Sequence, residues 1–245
     1  MTIIREPAET GVPPVFRWQA GDAYAVAFST RLGGVSEGAF ASLNLGRMTA
    51  DEAERVEENR RRLCDVVGAD ASRLTLNRQV HSATLYRAHA GRRGEPGDGL
   101  WTDEPGVPMF ALTADCVPVA VTALGRTALA VLHAGWRGLL DGIVDAGVTA
   151  IGGSRSACVG PAIGPCCYEV GPEVAEPFAA RFGEDVLHGR NLDLWTATER
   201  ALREAGVDDV ERVDLCMSCH AELFFSHRRD DGVTGRQGVV GVVVG

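Results

Sequence analysis

Residues 109–138, MFALTADCVPVAVTALGRTALAVLHAGWRG, constrain the fold more than any other stretch of the chain. Two apolar runs, 117–124 and 127–132, flank Gly125-Arg126, and a short junction containing glycine between such runs signals a β-hairpin. The departures from apolar character sit at its open end, where Asp115 and Cys116 precede the first run and His133 follows the second. A hinge at 125–126 places residues 116 and 133 almost opposite each other, so a cysteine and a histidine meet there. Two chemistries satisfy that pairing: a nucleophile with its base, or two ligands of a metal site.

The rest of the chain supplies the context for that hairpin. Its 245 residues suffice for a substantial core, and no composition break or internal repeat divides them, so a single α/β domain over 1–245 is the expectation, with 1–13 an irregular lead-in. The formal net charge of -9 argues against nucleic acid as a partner. No apolar run reaches membrane-spanning length and no signal peptide is visible, so the expectation is a soluble cytoplasmic protein, monomer or homodimer, without membrane contact. In that compartment its seven cysteines are expected to be reduced.

In chain order, residues 15–18 and 23–29 read as strands. A glycine-rich loop over 29–38 carries Arg31, with Asn44 just beyond, and its amides and guanidinium suit an anion or a sugar. Thr49 and Glu52 have capping-box spacing before a helix running to about residue 67. Residues 73–89 read as one extended segment with Gln79 and His81 on the same face, and 90–108 as a loop. Helices are expected over 139–151, 172–182 and 192–205, and strands over 157–160, 210–216 and 239–244. The last is nearly all valine, which suits burial on both faces. Gly135 and Gly138 put backbone amides near a helix start, a natural anion position.

Cys116 and His133, with His81 as the best third candidate, match a catalytic zinc site of three protein ligands, although their spacing is no zinc-finger signature. A Cys116–His133 nucleophilic pair is the rival, and sequence physics does not separate the two. Cys216-Met-Ser-Cys219-His220 fits the haem-attachment pattern, which would need export; a second metal site on Cys216, Cys219 and His220 is the other alternative, and partly buried thiols are the simpler reading. The adjacent Cys166 and Cys167 read as a loop feature, because neighbouring cysteines rarely meet disulfide geometry.

Taken together, STRLGGVS (29–36), LNLG (43–46), QVHS (79–82), TADCVP (113–118), HAGWRG (133–138), GPAIGPC (160–166), FFSHRRD (224–230) and TGR (234–236) resemble one family over residues 20–245. It was once labelled multicopper polyphenol oxidase or laccase domain and is now described as purine nucleoside phosphorylase. The resemblance implies a mixed α/β sandwich, two central sheets flanked by helices in α-β-β-α layers. It implies zinc on His81, Cys116 and His133, or copper under the older label. It implies phosphorolysis of adenosine, inosine and methylthioadenosine and deamination of adenosine, with a cysteine- or zinc-dependent amidase editing a peptidoglycan precursor, or polyphenol oxidation under the older label, as the alternatives. Arg31, Asn44, Gln79, Arg137 and Arg236 are then the expected binding residues for nucleoside and phosphate, with Arg31, Arg137 and Arg236 favoured for phosphate in that order. His227 departs from the family, which more often has tyrosine there.

Overall fold

In the computed structural model, which describes residues 3–5 and 12–244, fifteen strands and five α-helices alternate without a strict βαβ repeat. The strands are β1 (Ile3–Arg5), β2 (Val15–Trp18), β3 (Tyr24–Ser29), β4 (Thr75–Arg78), β5 (Leu85–Arg87), β6 (Arg93–Pro96), β7 (Gly99–Thr102), β8 (Met109–Thr113), β9 (Val117–Ala123), β10 (Leu129–Ala134), β11 (Ser154–Val159), β12 (Leu187–His188), β13 (Asn191–Leu192), β14 (Asp209–Arg212) and β15 (Gln237–Val243). The helices are α1 (Ala53–Val66), α2 (Trp136–Leu140), α3 (Ile143–Ala150), α4 (Pro172–Phe182) and α5 (Leu194–Glu204).

Two sheets carry the fold. A seven-stranded sheet has the order β1-β2-β3-β15-β8-β4-β6, and a six-stranded sheet the order β14-β11-β9-β10-β7-β5. Their strands are mostly apolar on both faces because both faces are covered. On β10, Leu129 and Val131 point between the sheets to meet Phe28 and Met109, whereas Ala130, Leu132 and Ala134 point outward. That outer face packs against α2–α5 through Leu139, Ile143, Val148, Phe178, Trp195 and Leu202. On β15, Val239 enters the inter-sheet layer while Val240 and Val242 face Leu63 and Cys64 of α1. The layers are therefore α-β-β-α. Gly241 sets the spacing at the centre: a Cβ there would lie 2.7 Å from Leu129 Cδ2 and 3.0 Å from Val131 Cγ1. The contact needs glycine.

The hairpin forms, but with a wider turn than a two-residue hinge. Thr122 pairs with Leu129 and Val117 with Ala134, so Cys116 faces Gly135 rather than His133. The turn widens because Arg126 reaches across to the Ile151 carbonyl at 3.0 Å and Leu124 N–H donates to Gly153 O at 3.0 Å. Other expectations change as well. Residues 3–5 pair with β2 instead of belonging to an irregular lead-in, the rest of which, before residue 12, lies outside the described residues. The segment 73–89 splits into β4 and β5, in different sheets, and 90–108 contains β6 and β7, the latter pairing directly with β10. Helix 139–151 is two helices, interrupted at Gly142, whose φ is 88°. The capping box is absent: α1 starts at Ala53 without a side-chain cap, and the Thr49 hydroxyl donates to Gly46 O at 2.8 Å.

Candidate metal centre

At the open end of the β9–β10 hairpin, His81, Cys116 and His133 place their ligand atoms within 4.8 Å of one another. Cys116 Sγ lies 3.8 Å from His81 Nε2, and the two imidazoles meet edge to face at 4.9 Å between centroids. Gly135 makes the approach possible, because a Cβ there would come within 2.9 Å of the His81 ring and 3.1 Å of Cys116 Sγ.

His81 reaches the site by a turn, not from a strand. It adopts φ 60°, unusual for a non-glycine residue, and one carboxylate explains why it is held there. Three consecutive amides, of Val80, His81 and Ser82, donate to Asp98 at 2.7–3.2 Å, as does the Ser82 hydroxyl at 2.9 Å. The same Asp98 sits 2.8 Å from Nδ1 of His133, and its backbone carbonyl accepts the His133 amide at 2.7 Å. One buried side chain thus fixes the backbone of one histidine and the ring of the other. With Nδ1–H directed to Asp98, Nε2 of His133 is left for the site.

The electrostatics follow. Burial disfavours charge on Asp98, but the hydrogen bonds from His133 and Ser82 outweigh it and hold the carboxyl at about 2. Burial likewise opposes ionisation of Cys116, yet the adjoining His133 and then His81 bring its thiol down to about 6. His133 is the mirror case: burial would lower its pKa, whereas Cys116 and Asp98 push it up to about 9. Without metal, the pair is a thiolate beside an imidazolium. Either role considered for Cys116, ligand or nucleophile, needs that thiolate.

The site opens into a cavity of about 460 Å³, a size suited to a small molecule. Arg137, Arg228 and Arg236 line it together with Trp136, Tyr168, Gln79, Asp115 and His227. The Arg137 guanidinium lies 4.3 Å from the Trp136 ring centre and that of Arg228 5.2 Å from the Tyr168 ring centre. Gln79 borders the cavity with its amide committed: Nε2 donates to Leu112 O at 2.6 Å and Oε1 accepts Leu112 N–H at 2.8 Å, extending the β4–β8 pairing by one side chain. A further depression of about 480 Å³ on α1 is lined by Arg47, Glu57, Glu58 and Arg61, which pair with one another, so it presents no converging reactive group.

Arg31 and Asn44 lie elsewhere. The Arg31 guanidinium donates to the carbonyls of Ala41 (2.8 Å) and Ala221 (3.1 Å) and lies 4.5 Å from the Phe225 ring centre. Fully buried Asn44 accepts the amides of Gly46 and Arg236, both at 2.9 Å. The glycine-rich loop is tied down from within by Asn59 of α1, which accepts Val35 N–H and donates to Ser36, Ser42 and Asn44. Its polar groups are bonded to the chain itself. Gly138 lies inside the five-residue α2, against the Ser82 carbonyl, instead of before a helix start.

Sequence reasoning missed Asp98, Arg228 and Tyr168. The only signal for Asp98 was an acidic residue before the Gly-Leu-Trp-Thr strand, and many surface loops carry as much. It also missed that Cys166, Cys167, Cys216 and Cys219 converge, all four sulfurs within 4.8 Å of one another.

The sequence matches the family described as multi-copper polyphenol oxidoreductase laccase over residues 25–243. It is 37% identical over 254 residues to a Geobacillus stearothermophilus protein named purine nucleoside phosphorylase YlmD, covering 92% of this chain and 90% of that one. A second relative, named purine nucleoside phosphorylase YfiH, from Escherichia coli, is 36% identical over 234 residues, covering 90% and 94%. The crystal structure of YlmD from Geobacillus stearothermophilus superposes with a TM-score of 0.86 at 32% identity, covering 100% of both chains.

Proposed function

The chain belongs to the multi-copper polyphenol oxidoreductase laccase family, and from that premise we propose that it is a zinc-dependent purine nucleoside phosphorylase whose metal is held by His81, Cys116 and His133. The observation that carries the reading is a three-ligand thiolate–imidazole set opening onto an arginine-lined cavity. The donor set fits zinc, which takes sulfur and nitrogen ligands and in catalytic sites leaves one position to water or substrate. It fits a multicopper centre poorly. Such centres need clustered histidines, and of six in the chain only His81, His133 and His227 border this cavity. A single copper site of two histidines and one cysteine would be closed for electron transfer, whereas this one faces open space. Bound here, zinc would supply Lewis acidity at the cavity floor.

The chain's own residues do the rest. Arg137, Arg228 and Arg236 offer guanidinium donors to phosphate, the attacking group of phosphorolysis. A phosphate oxygen bonds to C1′ of the ribose as the C1′–N9 bond breaks, and the purine leaves with a proton. Trp136 and Tyr168 give the cavity apolar walls for a purine. Asp98 keeps His133 in one tautomer and one orientation throughout. Adenosine deamination belongs to the same proposal: with water in place of phosphate, attack at C6 releases ammonia and leaves inosine. A cytoplasmic location fits seven cysteines kept as thiols.

Incubating the zinc-loaded protein with adenosine, with and without phosphate, and separating the products by chromatography tests this. Adenine appearing only with phosphate is the expected result; no adenine and no inosine overturns the proposal. One observation favours a second reading. Cys116, His133 and Asp98 also form a nucleophile–base–orienter series, the arrangement of a cysteine amidase, with a peptidoglycan precursor as its substrate. Chelator-resistant amide hydrolysis with rapid alkylation of Cys116 would establish it instead.

A further inference from the structure

On the far side of the cavity wall, four cysteines from two loops meet. Cys166 and Cys167 follow β11, and Cys216 and Cys219 follow β14. Backbone contacts pin the loops together: Met217 N–H donates to Ala162 O at 2.9 Å, within an isolated bridge between Ala162 and Cys216. Cys219 Sγ then lies 3.5 Å from Cys166 Sγ and 3.4 Å from Cys167 Sγ, and all four sulfurs fall within 4.8 Å. Four thiolates around one tetrahedral zinc at about 2.3 Å stand about 3.8 Å apart, a value that falls between the 3.4–3.5 Å of the two Cys219 contacts and the 4.8 Å that bounds the rest.

The surroundings suit anionic sulfur. Gly164 N–H donates to Cys216 Sγ at 3.2 Å, and the amides of Ser218 and Cys219 also turn toward it, so the first cysteine of the Cys-x-x-Cys turn is capped by backbone donors. Arg229 places a positive charge beside the turn, donating to the carbonyls of Met217 at 2.8 Å and Ser218 at 3.4 Å. The arrangement does not single out one disulfide, because Cys219 sits almost equally near two adjacent partners, at 3.5 and 3.4 Å, and both separations are well beyond the roughly 2.05 Å of a sulfur–sulfur bond.

We propose that Cys166, Cys167, Cys216 and Cys219 form a second, structural zinc site, closed by four thiolates and separate from the catalytic centre. It staples residues 163–168 to 216–219. These loops brace the cavity: Tyr168 is part of its wall, and Met217 Sδ and the Ile163 amide bind the backbone of Asp115, immediately before Cys116. With four protein ligands there is no position left for substrate, so the metal holds structure and does no chemistry.

The test uses the full chain with the first site removed, Cys116→Ser with His133→Ala, so that its outcome is independent of what the catalytic centre does. Expected are about one tightly held zinc per chain after gel filtration and, on cobalt substitution, sulfur-to-metal charge-transfer absorption of tetrathiolate intensity. Adding Cys219→Ser, at an exposed position, should abolish both. On the unmodified, zinc-loaded protein, X-ray absorption at the zinc edge should show a sulfur-rich average shell, which keeps the test independent of any variant's folding. Absence of zinc in the double variant, iron in its place, zinc content indifferent to Cys219→Ser, or a disulfide among these cysteines in a non-reducing peptide map would overturn the proposal.

Discussion

The two sulfur-containing clusters of this molecule differ in what surrounds them, and the difference separates chemistry from support. His81, Cys116 and His133 lie at the end of a buried hairpin and face a cavity of about 460 Å³, with Asp98 behind them fixing ring and backbone. Cys166, Cys167, Cys216 and Cys219 lie on loops and are not part of that cavity's lining; their sulfurs close on one another and on backbone amides. Three ligands and an open face make a reaction centre, whereas four ligands and no open face make a clamp. Perturbing the first cluster should therefore change turnover with little change in folding. Perturbing the second should do the reverse.

The largest expected effect is at Cys116. Cys116→Ser should lower phosphorolysis by about 10³-fold or more, since it removes the thiolate on either reading of the site, while the melting temperature moves little because this side chain is not part of the core. A variant that loses activity only in proportion to its loss of folded protein would break the contrast between the clusters. Asp98→Asn comes next. It replaces the carboxylate that accepts four donors and orients His133, so metal affinity and activity should fall about 10–100-fold. Serial metal titration separates these: a loss confined to affinity is recovered at high zinc, and one rooted in ring orientation is not.

Much of this was legible in residues 109–138, because a valine- and alanine-rich run bounded by a turn and by polar residues has few other uses. The valine run of β15 was legible for the same reason. Register was not, since the turn width depends on Arg126 bonding to a carbonyl 25 residues away. Nor was the conformation of His81. Its left-handed backbone is imposed by Asp98, 17 residues on, and hydrophobic periodicity does not register a carboxylate that gathers amides. β6 and β7 were hidden by glycine and proline in short strands, one of them exposed along its whole length. The resemblance of the motif set supplied His81 as a ligand, while the cysteine cluster stayed invisible because its halves lie about 50 residues apart and each alone reads as an ordinary loop.

A pH profile sharpens the comparison at smaller amplitude. In the metal-stripped protein, alkylation of Cys116 should rise through a midpoint near 6, because the thiolate fraction grows as pH passes its lowered pKa. Cys219, whose pKa its thiol neighbours push up to about 11, should react only in alkaline solution. The midpoint is the diagnostic and not the rate, since a thiolate of lower pKa is also a weaker nucleophile. His133→Gln removes the main factor lowering the pKa and leaves burial, which raises it, opposed by His81 alone, so the midpoint should move upward. A midpoint near 6 in both proteins would show that His133 does not set the state of Cys116.

The smallest effect concerns the arginines. Arg31 spends its guanidinium on the carbonyls of Ala41 and Ala221 and on the Phe225 ring, away from the cavity, whereas Arg137 lines the same cavity as His81, Cys116 and His133. If cavity position decides, Arg137→Ala should raise the KM for phosphate by about 10-fold or more, the loss of one charge-assisted contact. Arg31→Lys should shift it less than about twofold, because a lysine ammonium still bonds a carbonyl while the bidentate geometry it sacrifices serves only the loop. The pair of measurements is decisive because both substitutions remove a guanidinium and only one of them faces substrate. Equal increases in KM would mean that the loop over residues 29–46 swings its arginine into the cavity on binding.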